Sequence, residues 1–327
     1  MHGQRPRRAT TTRHRNRLGR VRKTTAALSA LALSAIALTG CSASAPSFDG
    51  VACERDSSAA LASKVQADGE LGSAKVNITA PVRTSKVSYA DLITGEGVAI
   101  SSATQFAIVS VALVNGNTGD ILQQADTFWS PESASQQFPG LGDALECATD
   151  GSRVAAAIPS KDLPEGMSEQ IGLKGNESLV VVSDVRAVML QHAKGESVFN
   201  DANGLPTVVR AADGHPGVIV PDSDAPTKAV TQTLIKGHGD KIGADVQGSS
   251  PAVVRSMSVG WKSGEVRASS WETGVENIGE MPEEVQKAVK QSTIGSQVMV
   301  VVPGESGDAT VYVVDVVGAI PAELMGQ

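Results

Sequence analysis

The chain has 327 residues, of which 41% are hydrophobic and only 3% aromatic. This length predicts about two domains, and the composition predicts cores built from Val, Ile, Leu and Ala. The formal net charge is −7, from 28 Lys and Arg against 35 Asp and Glu, and an acidic balance of this kind argues against nucleic-acid binding.

The N-terminus has the pattern of an export signal. Residues 5–23 contain nine Arg and Lys and no acidic residue, and an apolar run follows at residues 26–38. A basic segment before a short apolar run is typical of a secretory signal peptide. The run is too short to span a bilayer, which needs about 20 residues. Without this segment the chain keeps 28 − 9 = 19 basic residues against 35 acidic ones, a net charge of −16.

The apolar run ends in Leu38-Thr39-Gly40-Cys41, which resembles a bacterial lipobox. The resemblance implies cleavage before Cys41 and lipidation of Cys41. Residues 1–40 are therefore interpreted as a lipoprotein signal peptide, and the mature protein as lipid-anchored on the extracytoplasmic face of the cell membrane. The alternative is an ordinary signal peptide that happens to contain a Cys at this place.

Two further cysteines, Cys53 and Cys147, lie in the part of the chain that would be exported. In an exported protein they can form a disulfide, which would be worth roughly 4–5 kcal/mol in the loop-entropy estimate. The alternative is two separate thiols. Neither cysteine has His or Cys neighbours at metal-ligand spacing, so the sequence predicts no metal site. No motif in the chain indicates a cofactor.

The remaining chain repeats itself. Residues 92–97 match residues 234–239, at an offset of 234 − 92 = 142 residues. Two further pairs of segments also match, 151–159 with 295–303 and 178–185 with 310–316. Two copies at this distance indicate duplicated domains, because solenoid repeats are much shorter. The predicted parts are a tether with the start of the first module at 41–72, a first module at 73–191, a linker at 192–204 and a second module at 205–327.

Each copy is predicted to be mostly strand, because short runs of β-branched residues alternate with turn residues. Each also contains one short helix preceded by a proline, Pro139 in the first copy and Pro282 in the second. The predicted buried helix faces, at i, i+3 and i+4 spacing, are Leu141, Ala144 and Leu145, and Val285, Ala288 and Val289. The sequence therefore predicts the α+β class, with a curved antiparallel sheet packed on one short helix in each copy.

The order of elements in the second copy is informative. After two strands come a Ser-rich bend, the Pro282 helix, the segment Gly295-Ser296-Gln297-Val298, a strand ending at Pro303, and a last strand with Asp315. This order resembles the FKBP-type peptidyl-prolyl cis-trans isomerase family, and the duplication resembles tandem FKBP-like lipoproteins of high-GC Gram-positive bacteria. The resemblance covers the second copy and, more faintly, the first.

The resemblance implies rotamase activity on proline-containing segments of exported proteins. Rotation of the prolyl imide crosses a barrier of ~18–20 kcal/mol. A pocket lowers that barrier by excluding water and by fitting the twisted imide better than the planar one. The family pocket has aromatic walls, a backbone donor and an Asp beside the rotating bond.

The motif that carries these groups is altered in both copies. Gly264 matches the motif glycine of the second copy, but Arg267 stands at the Phe position and Ala268 at the Asp position. Leu122 and Gln123 occupy the same two positions in the first copy. The resemblance therefore predicts weak or absent isomerase activity. The alternative function is a non-catalytic FKBP-fold chaperone or scaffold lipoprotein that binds envelope proteins.

The second copy is the better candidate for a substrate pocket. The residues predicted to line it are Tyr312, Val266, Met281, Trp271, Arg267 and Val285. Other interpretations stay open at this point: Tyr312 as a core residue, Met281 as helix-entry packing, Trp271 as a loop anchor, and Arg267 as a solvated charge or the partner of a carboxylate.

Overall fold

The computed structural model describes residues 47–199, 203–243, 245 and 250–325, without the side chain of Ser306. The predicted signal peptide and Cys41 lie outside the described residues. From residue 47 onward the chain belongs to one compact unit, built mostly of antiparallel strands with a few short helices. Within the described ranges, none of the helices combines the length and the apolar character of a bilayer-crossing segment.

The elements are named here in chain order. Those of the N-terminal half are β1 (Ser47–Phe48), β2 (Val51–Ala52), α1 (Ala59–Ala62), β3 (Val65–Asp68), β4 (Lys75–Ile78), β5 (Ser88–Ile93), β6 (Ala107–Asn115), β7 (Ile121–Trp129), α2 (Pro131–Gln137), α3 (Leu141–Leu145), β8 (Arg153–Pro159), α4 (Met167–Gln170) and β9 (Ser178–Val188). Those of the C-terminal half are β10 (Gly195–Ser197), β11 (Thr207–Arg210), β12 (Pro216–Ile219), β13 (Val230–Gly237), β14 (Ala252–Gly260), β15 (Val266–Ser269), β16 (Glu276–Asn277), α5 (Glu283–Lys290), β17 (Gln297–Pro303) and β18 (Ala309–Ala319). Short 3₁₀ turns lie at Ser160–Asp162, Ile278–Glu280, Glu305–Gly307 and Ala322–Leu324.

The two halves share one strand order. The N-terminal sheet runs β5-β8-β9-β6-β7, and the C-terminal sheet runs β13-β17-β18-β14-β15, with β10 beside β13 and β16 paired to β14. All these pairings are antiparallel. Each strand of the first sheet therefore has a counterpart at the same place in the second, which is the structural form of the sequence repeat.

The central strands are buried on both faces because they are runs of β-branched and small residues. β9 is buried along most of its 11 residues and β18 along most of its own 11. In the N-terminal half, one face packs on α2 and α3 and the other on α1 and the β3–β4 hairpin. In the C-terminal half, one face packs on α5 and the other on the β11–β12 hairpin. Each sheet is thus covered on both sides.

The helices agree only in part with the prediction. In the C-terminal half α5 begins at Glu283, directly after Pro282, and it buries the predicted face Val285, Ala288 and Val289. The N-terminal half has two consecutive short helices, α2 and α3, where the sequence predicts one. Ser130 and Ser133 form a capping box that begins α2 at Pro131, and this Ser-rich stretch looks like a bend in the sequence alone.

The two halves pack directly on each other. Ile108 and Met189 of the first half meet Val253 and Val317 of the second in a shared apolar cluster. The backbone N–H of Leu190 donates to the carbonyl of Val317 at 2.8 Å. Residues 195–197, predicted as linker, form β10 at the edge of the C-terminal sheet.

Candidate functional site

An open groove lies on the helix-covered face of the C-terminal sheet, beside the start of α5. It has a volume of about 610 Å³, and its lining is Ser256, Ser258, Ala268, Glu276, Asn277, Gly279, Glu280, Met281, Pro282 and Tyr312. Strand register explains why three of these share one face, because Ser258 on β14 lies opposite Tyr312 on β18 and opposite Ala268 on β15. Two predicted pocket residues, Tyr312 and Met281, therefore meet at this groove.

Tyr312 is the aromatic residue of this groove. Its ring is half-buried and packs, with Met281, against the core under α5. No hydrogen bond to its hydroxyl occurs among the described residues, so this hydroxyl is available to a bound molecule. Val285 lies deeper and is fully buried in the core under the helix. It supports the groove from behind and does not line it.

The other half of the groove is polar. The hydroxyl of Ser256 donates to Glu276 Oε1 at 2.5 Å. The side-chain amide of Asn277 donates to the carbonyl of Ser250 at 2.7 Å. Together with Glu280, these groups form an acidic, hydrogen-bonding wall. The groove therefore has this polar wall and the apolar wall formed by Tyr312 and Met281.

Val266 and Arg267 do not line this groove. Val266 on β15 is 56% exposed. Arg267 forms an ion pair with Asp308 at 2.8 Å and donates to the hydroxyl of Thr310 at 2.6 Å. Backbone N–H donors from Ala309 and Lys262, together with Arg267, lower the pKa of the Asp308 carboxyl. The charge at the motif's Phe position is thus paired within the chain.

Trp271 is also outside the groove. Its ring is stacked on His215 with centroids 5.1 Å apart, and the guanidinium of Arg255 lies 5.4 Å from its centroid. It borders a second cleft, of about 360 Å³, together with Phe106 of the N-terminal half. The structure therefore separates the six predicted pocket residues, with only Tyr312 and Met281 at one site.

No protein-family profile matches the chain, and no curated protein matches it. Among solved structures, the chain is similar to the three FKBP domains of wheat FKBP73, with 15% identity and a TM-score of 0.30, over 72% of this chain and 94% of that one. It is similar to FkpA from Escherichia coli, with 17% identity and a TM-score of 0.25, over 33% of this chain and 52% of that one. A third similarity is to the N-terminal domain of FKBP42 from Arabidopsis thaliana, with 16% identity and a TM-score of 0.27, over 35% of this chain and 94% of that one. Scores at this level establish neither a shared fold nor a shared activity.

The corresponding place in the N-terminal half is filled by its own side chains. Leu113 on β6 lies opposite Val181 and Gln123, as Ser258 lies opposite Tyr312 and Ala268. Val181, which stands at the position of Tyr312, is fully buried. Phe138 is only 4% exposed and packs edge-on against Trp129, with centroids 6.3 Å apart. The N-terminal half therefore has a packed core where the C-terminal half has an open groove.

The N-terminal half contains a buried ion pair that the sequence analysis does not predict. Arg153 and Asp184 lie opposite each other on β8 and β9, joined at 2.5 Å and 2.8 Å, with side chains 0% and 1% exposed. Hydrogen bonding to Asp184 raises the pKa of Arg153. Arg153 also donates to three carbonyls of the β3–β4 hairpin, those of Ala67, Gly69 and Glu70. The backbone N–H of Gly72 donates to Asp184 at 2.7 Å.

The C-terminal half has a neutral version of the same arrangement. Gln297 stands where Arg153 stands, and its side-chain amide donates to Asp315 at 2.7 Å. The backbone N–H of Ala193 donates to the other oxygen of Asp315 at 2.7 Å. Burial raises the pKa of Asp315, and these two hydrogen bonds act in the opposite direction. Each buried Asp thus binds the segment that leads into its own half. The sequence signal for this pair of sites lies in the alignment of the two repeats, which places Arg153 and Gln297 at the same position.

Cys53 and Cys147 are joined as a disulfide, with Cα atoms 5.9 Å apart and a sequence separation of 94 residues. Arg55 lies beside it and donates to the carbonyls of Ala144 and Glu146 while pairing with Asp91. The start of the described chain is therefore attached both covalently and by hydrogen bonds to the N-terminal half.

Proposed function

We propose that the protein is an exported, lipid-anchored protein of the FKBP type. In this proposal the C-terminal groove binds proline-containing segments of other exported proteins and isomerises their prolyl bonds weakly. The observation that carries the proposal is the arrangement of Tyr312, Met281 and Pro282, which form an apolar wall between the sheet and the start of α5. The hydroxyl of Tyr312 adds a hydrogen-bond donor for a substrate carbonyl.

The order of elements along the C-terminal half supports the family. The strands β13, β14 and β15 come first, and a bend follows β15. The helix α5 then begins directly after Pro282. The Gly295-Ser296 turn leads into β17, which ends at Pro303, and β18 carries the buried Asp315. This order of strands, helix and turns supports the FKBP-type assignment proposed from the sequence. The N-terminal half repeats the strand order, which supports an origin by duplication.

The groove also explains why the activity is proposed to be weak. Ala268 lines it where the family motif has an Asp, so no carboxylate stands at that position. Arg267, at the aromatic position, turns to Asp308 and supplies no wall. With one aromatic wall and one polar wall, the groove excludes less water from a bound imide than a closed pocket does, and this lowers catalysis.

A non-catalytic function is the second candidate, and the acidic wall is the observation that favours it. Glu276 and Glu280 offer carboxylate acceptors along one side of an open groove. Such a surface suits an extended segment held by its backbone, which is what a chaperone or scaffold requires. The two candidates share the groove and differ only in whether the imide rotates faster when it is bound.

The test is a prolyl isomerase assay on the full chain in detergent micelles, with a prolyl peptide and with a protein whose refolding is limited by proline isomerisation. We expect a measurable rate that Tyr312→Ala lowers about tenfold or more in kcat/KM. Tyr312→Phe isolates the hydroxyl. Tyr89→Phe is its matched control, because Tyr89 is the other of the two tyrosines and lies in the N-terminal half.

A second variant tests the altered motif by gain of activity. Arg267→Phe combined with Ala268→Asp restores the two family residues and should raise kcat/KM. Rates equal to the uncatalysed reaction in both assays, with prolyl-peptide binding retained, would select the non-catalytic function. If Tyr312→Ala keeps both the isomerisation rate and the prolyl-peptide binding of the unchanged protein, both candidate functions are contradicted.

The anchor has its own experiment. Cys41→Ala should release the protein from the membrane fraction into the medium, because the lipid chains would no longer be attached. Continued membrane retention of Cys41→Ala would contradict lipidation at this residue while leaving the groove proposal untouched.

A further inference from the structure

β7 is a long, open edge of the N-terminal sheet. It pairs with β6 on one side, and among the described residues no backbone hydrogen bond from another element reaches its other side. Most of its residues are exposed, and Ile121, Leu122 and Phe128 are 45%, 40% and 39% exposed. An unpaired row of backbone N–H and C=O groups beside apolar side chains is a template for another strand.

The other sheet edges in the described part are short or covered. Along β5, the N–H of Ser58 donates to the carbonyl of Tyr89 at 2.8 Å, and the hydroxyl of Ser57 accepts from the N–H of Asp91 at 2.9 Å. In the C-terminal sheet, β10 has 3 residues and β15 has 4. Short strands and covering segments are the usual protections against edge pairing. β7 has 9 residues, no Lys and no Pro, and Asp126 is its one charged residue.

The sequence of β7 is palindromic in polarity about its centre, Ala125. It reads Ile-Leu-Gln-Gln-Ala-Asp-Thr-Phe-Trp, with two apolar residues at each end and two polar residues on each side of the alanine. If two copies pair antiparallel about Ala125, Leu122 lies opposite Phe128 of the second copy and Ile121 opposite its Trp129. Apolar cross-strand pairs of this kind stabilise antiparallel sheets, and this register brings no like charges face to face.

We propose that β7 pairs with β7 of a second copy of this chain, across a two-fold axis at Ala125. The contact is isologous, because the same strand supplies both sides. It joins two five-stranded sheets into a continuous sheet of 5 + 5 = 10 strands. An extended segment of another protein is the competing occupant. The palindrome favours the second copy, since a strand that receives diverse segments does not need to complement itself.

Cysteine crosslinking of the full chain in membranes tests the register. Residues that face each other across the axis have Cα atoms about 4.5–5.5 Å apart, which is within the range of a disulfide. Ala125→Cys should therefore give a disulfide-linked dimer on oxidation. Gln123→Cys is the matched control on the same face of the strand, because two such residues would lie on the order of 14 Å apart. Gln123→Cys should not link to itself, and it should link to Thr127→Cys when the two are co-expressed.

A charge exchange tests the association at equilibrium. Leu122→Glu alone and Phe128→Lys alone should each raise the dimer Kd, measured by sedimentation of the full chain in detergent, by about tenfold or more. The double variant should restore association, because the introduced carboxylate of one copy would face the introduced ammonium group of the other. The two positions are too far apart on one strand to compensate within a monomer. Unchanged thermal unfolding would show that the fold is intact.

Three results would overturn the proposal. The chain could stay monomeric at all concentrations, with no Ala125→Cys dimer. Gln123→Cys could link to itself as readily as Ala125→Cys, which would exclude this register. Ala125→Cys could link to another polypeptide and never to itself, which would assign the edge to an extended segment of a different protein.

Discussion

The buried pair of Arg153 and Asp184 gives the strongest quantitative prediction. Arg153→Gln removes the positive charge and keeps a polar side chain, and the chain itself shows that a Gln can stand opposite a buried Asp, as Gln297 does opposite Asp315. The variant therefore tests whether the N-terminal half depends on the charge or only on a hydrogen-bonding side chain at this place.

The expected loss follows from burial. Removing one partner of a buried ion pair costs about 3–5 kcal/mol, because the other charge remains without compensation. No allowance for solvent screening applies, since the two side chains are 0% and 1% exposed. The carbonyls of the β3–β4 hairpin also lose a charged donor. At about 2–4 °C per kcal/mol for a domain of moderate size, Tm should fall by roughly 6–20 °C.

Urea unfolding followed by circular dichroism measures the change. Lys161→Gln is the matched control, because it removes the cation of the exposed pair Lys161–Asp162, whose side chains are 61% and 31% exposed. It should cost less than about 1 kcal/mol. Arg153→Gln combined with Asp184→Asn removes both charges and should recover part of the loss, which a double-mutant cycle quantifies.

A loss of less than about 1 kcal/mol in Arg153→Gln, equal to that of Lys161→Gln, would refute this reasoning. It would mean that the charge contributes nothing beyond what a neutral amide provides, as in the C-terminal half.

Three further predictions concern the rest of the chain. Burial raises the folded pKa of Asp315 above its ordinary value of 3.8, so the carboxyl contributes stability at low pH that is lost as pH rises through the folded pKa. In urea titrations, the unfolding free energy of the protein minus that of Asp315→Asn should therefore fall as pH rises above 3.8 and through the folded pKa. A constant or rising difference would count against this prediction. Replacing Cys53 and Cys147 with Ser opens the 94-residue loop and should cost about 2–5 kcal/mol, seen as a lower urea midpoint; an unchanged midpoint would contradict a native bridge. A Cβ on Gly318 would lie 2.1 Å from Met189 Sδ at the junction of the halves. Gly318→Ala should therefore lower the unfolding free energy by about 1–3 kcal/mol, and the control Gly279→Ala, beside the groove, should lower it less. Equal losses would argue against tight packing at the junction.

The sequence predicts the repeated strand-rich architecture well, because long β-branched runs such as those of β9 and β18 are local signals. It also predicts α5 to within one residue, since Pro282 and the spacing of Val285, Ala288 and Val289 are local as well. The helix α2 is not predicted, because its Ser-rich start is equally compatible with a bend. β10 is not predicted either. Gly195 lets this strand approach β13 closely, as a Cβ there would lie 2.0 Å from the carbonyl oxygen of Lys236.

The candidate site is less predictable than the fold, because a site depends on which face each side chain occupies. Val266 and Ala268 are two residues apart on β15 and both are exposed, yet with the register shift opposite β14 only Ala268 lines the groove. Trp271 follows the strand and turns to His215, which lies in the connection between β11 and β12. The pairing of Arg153 with Asp184 needs the register of β8 and β9, which sequence spacing does not reveal.

Methyl NMR of the full chain in detergent micelles, labelled at methionine and titrated with a prolyl peptide, tests the groove most directly. Met281 lines the groove, whereas Met257 and Met299 lie in the core on the opposite face of the same sheet and Met189 lies at the junction of the halves. We predict a saturable shift of the Met281 methyl, little change at the other three, and weaker binding in Tyr312→Ala. A peptide that binds without shifting Met281, or that shifts Met189 instead, would contradict the assignment of the binding site to the Tyr312 groove.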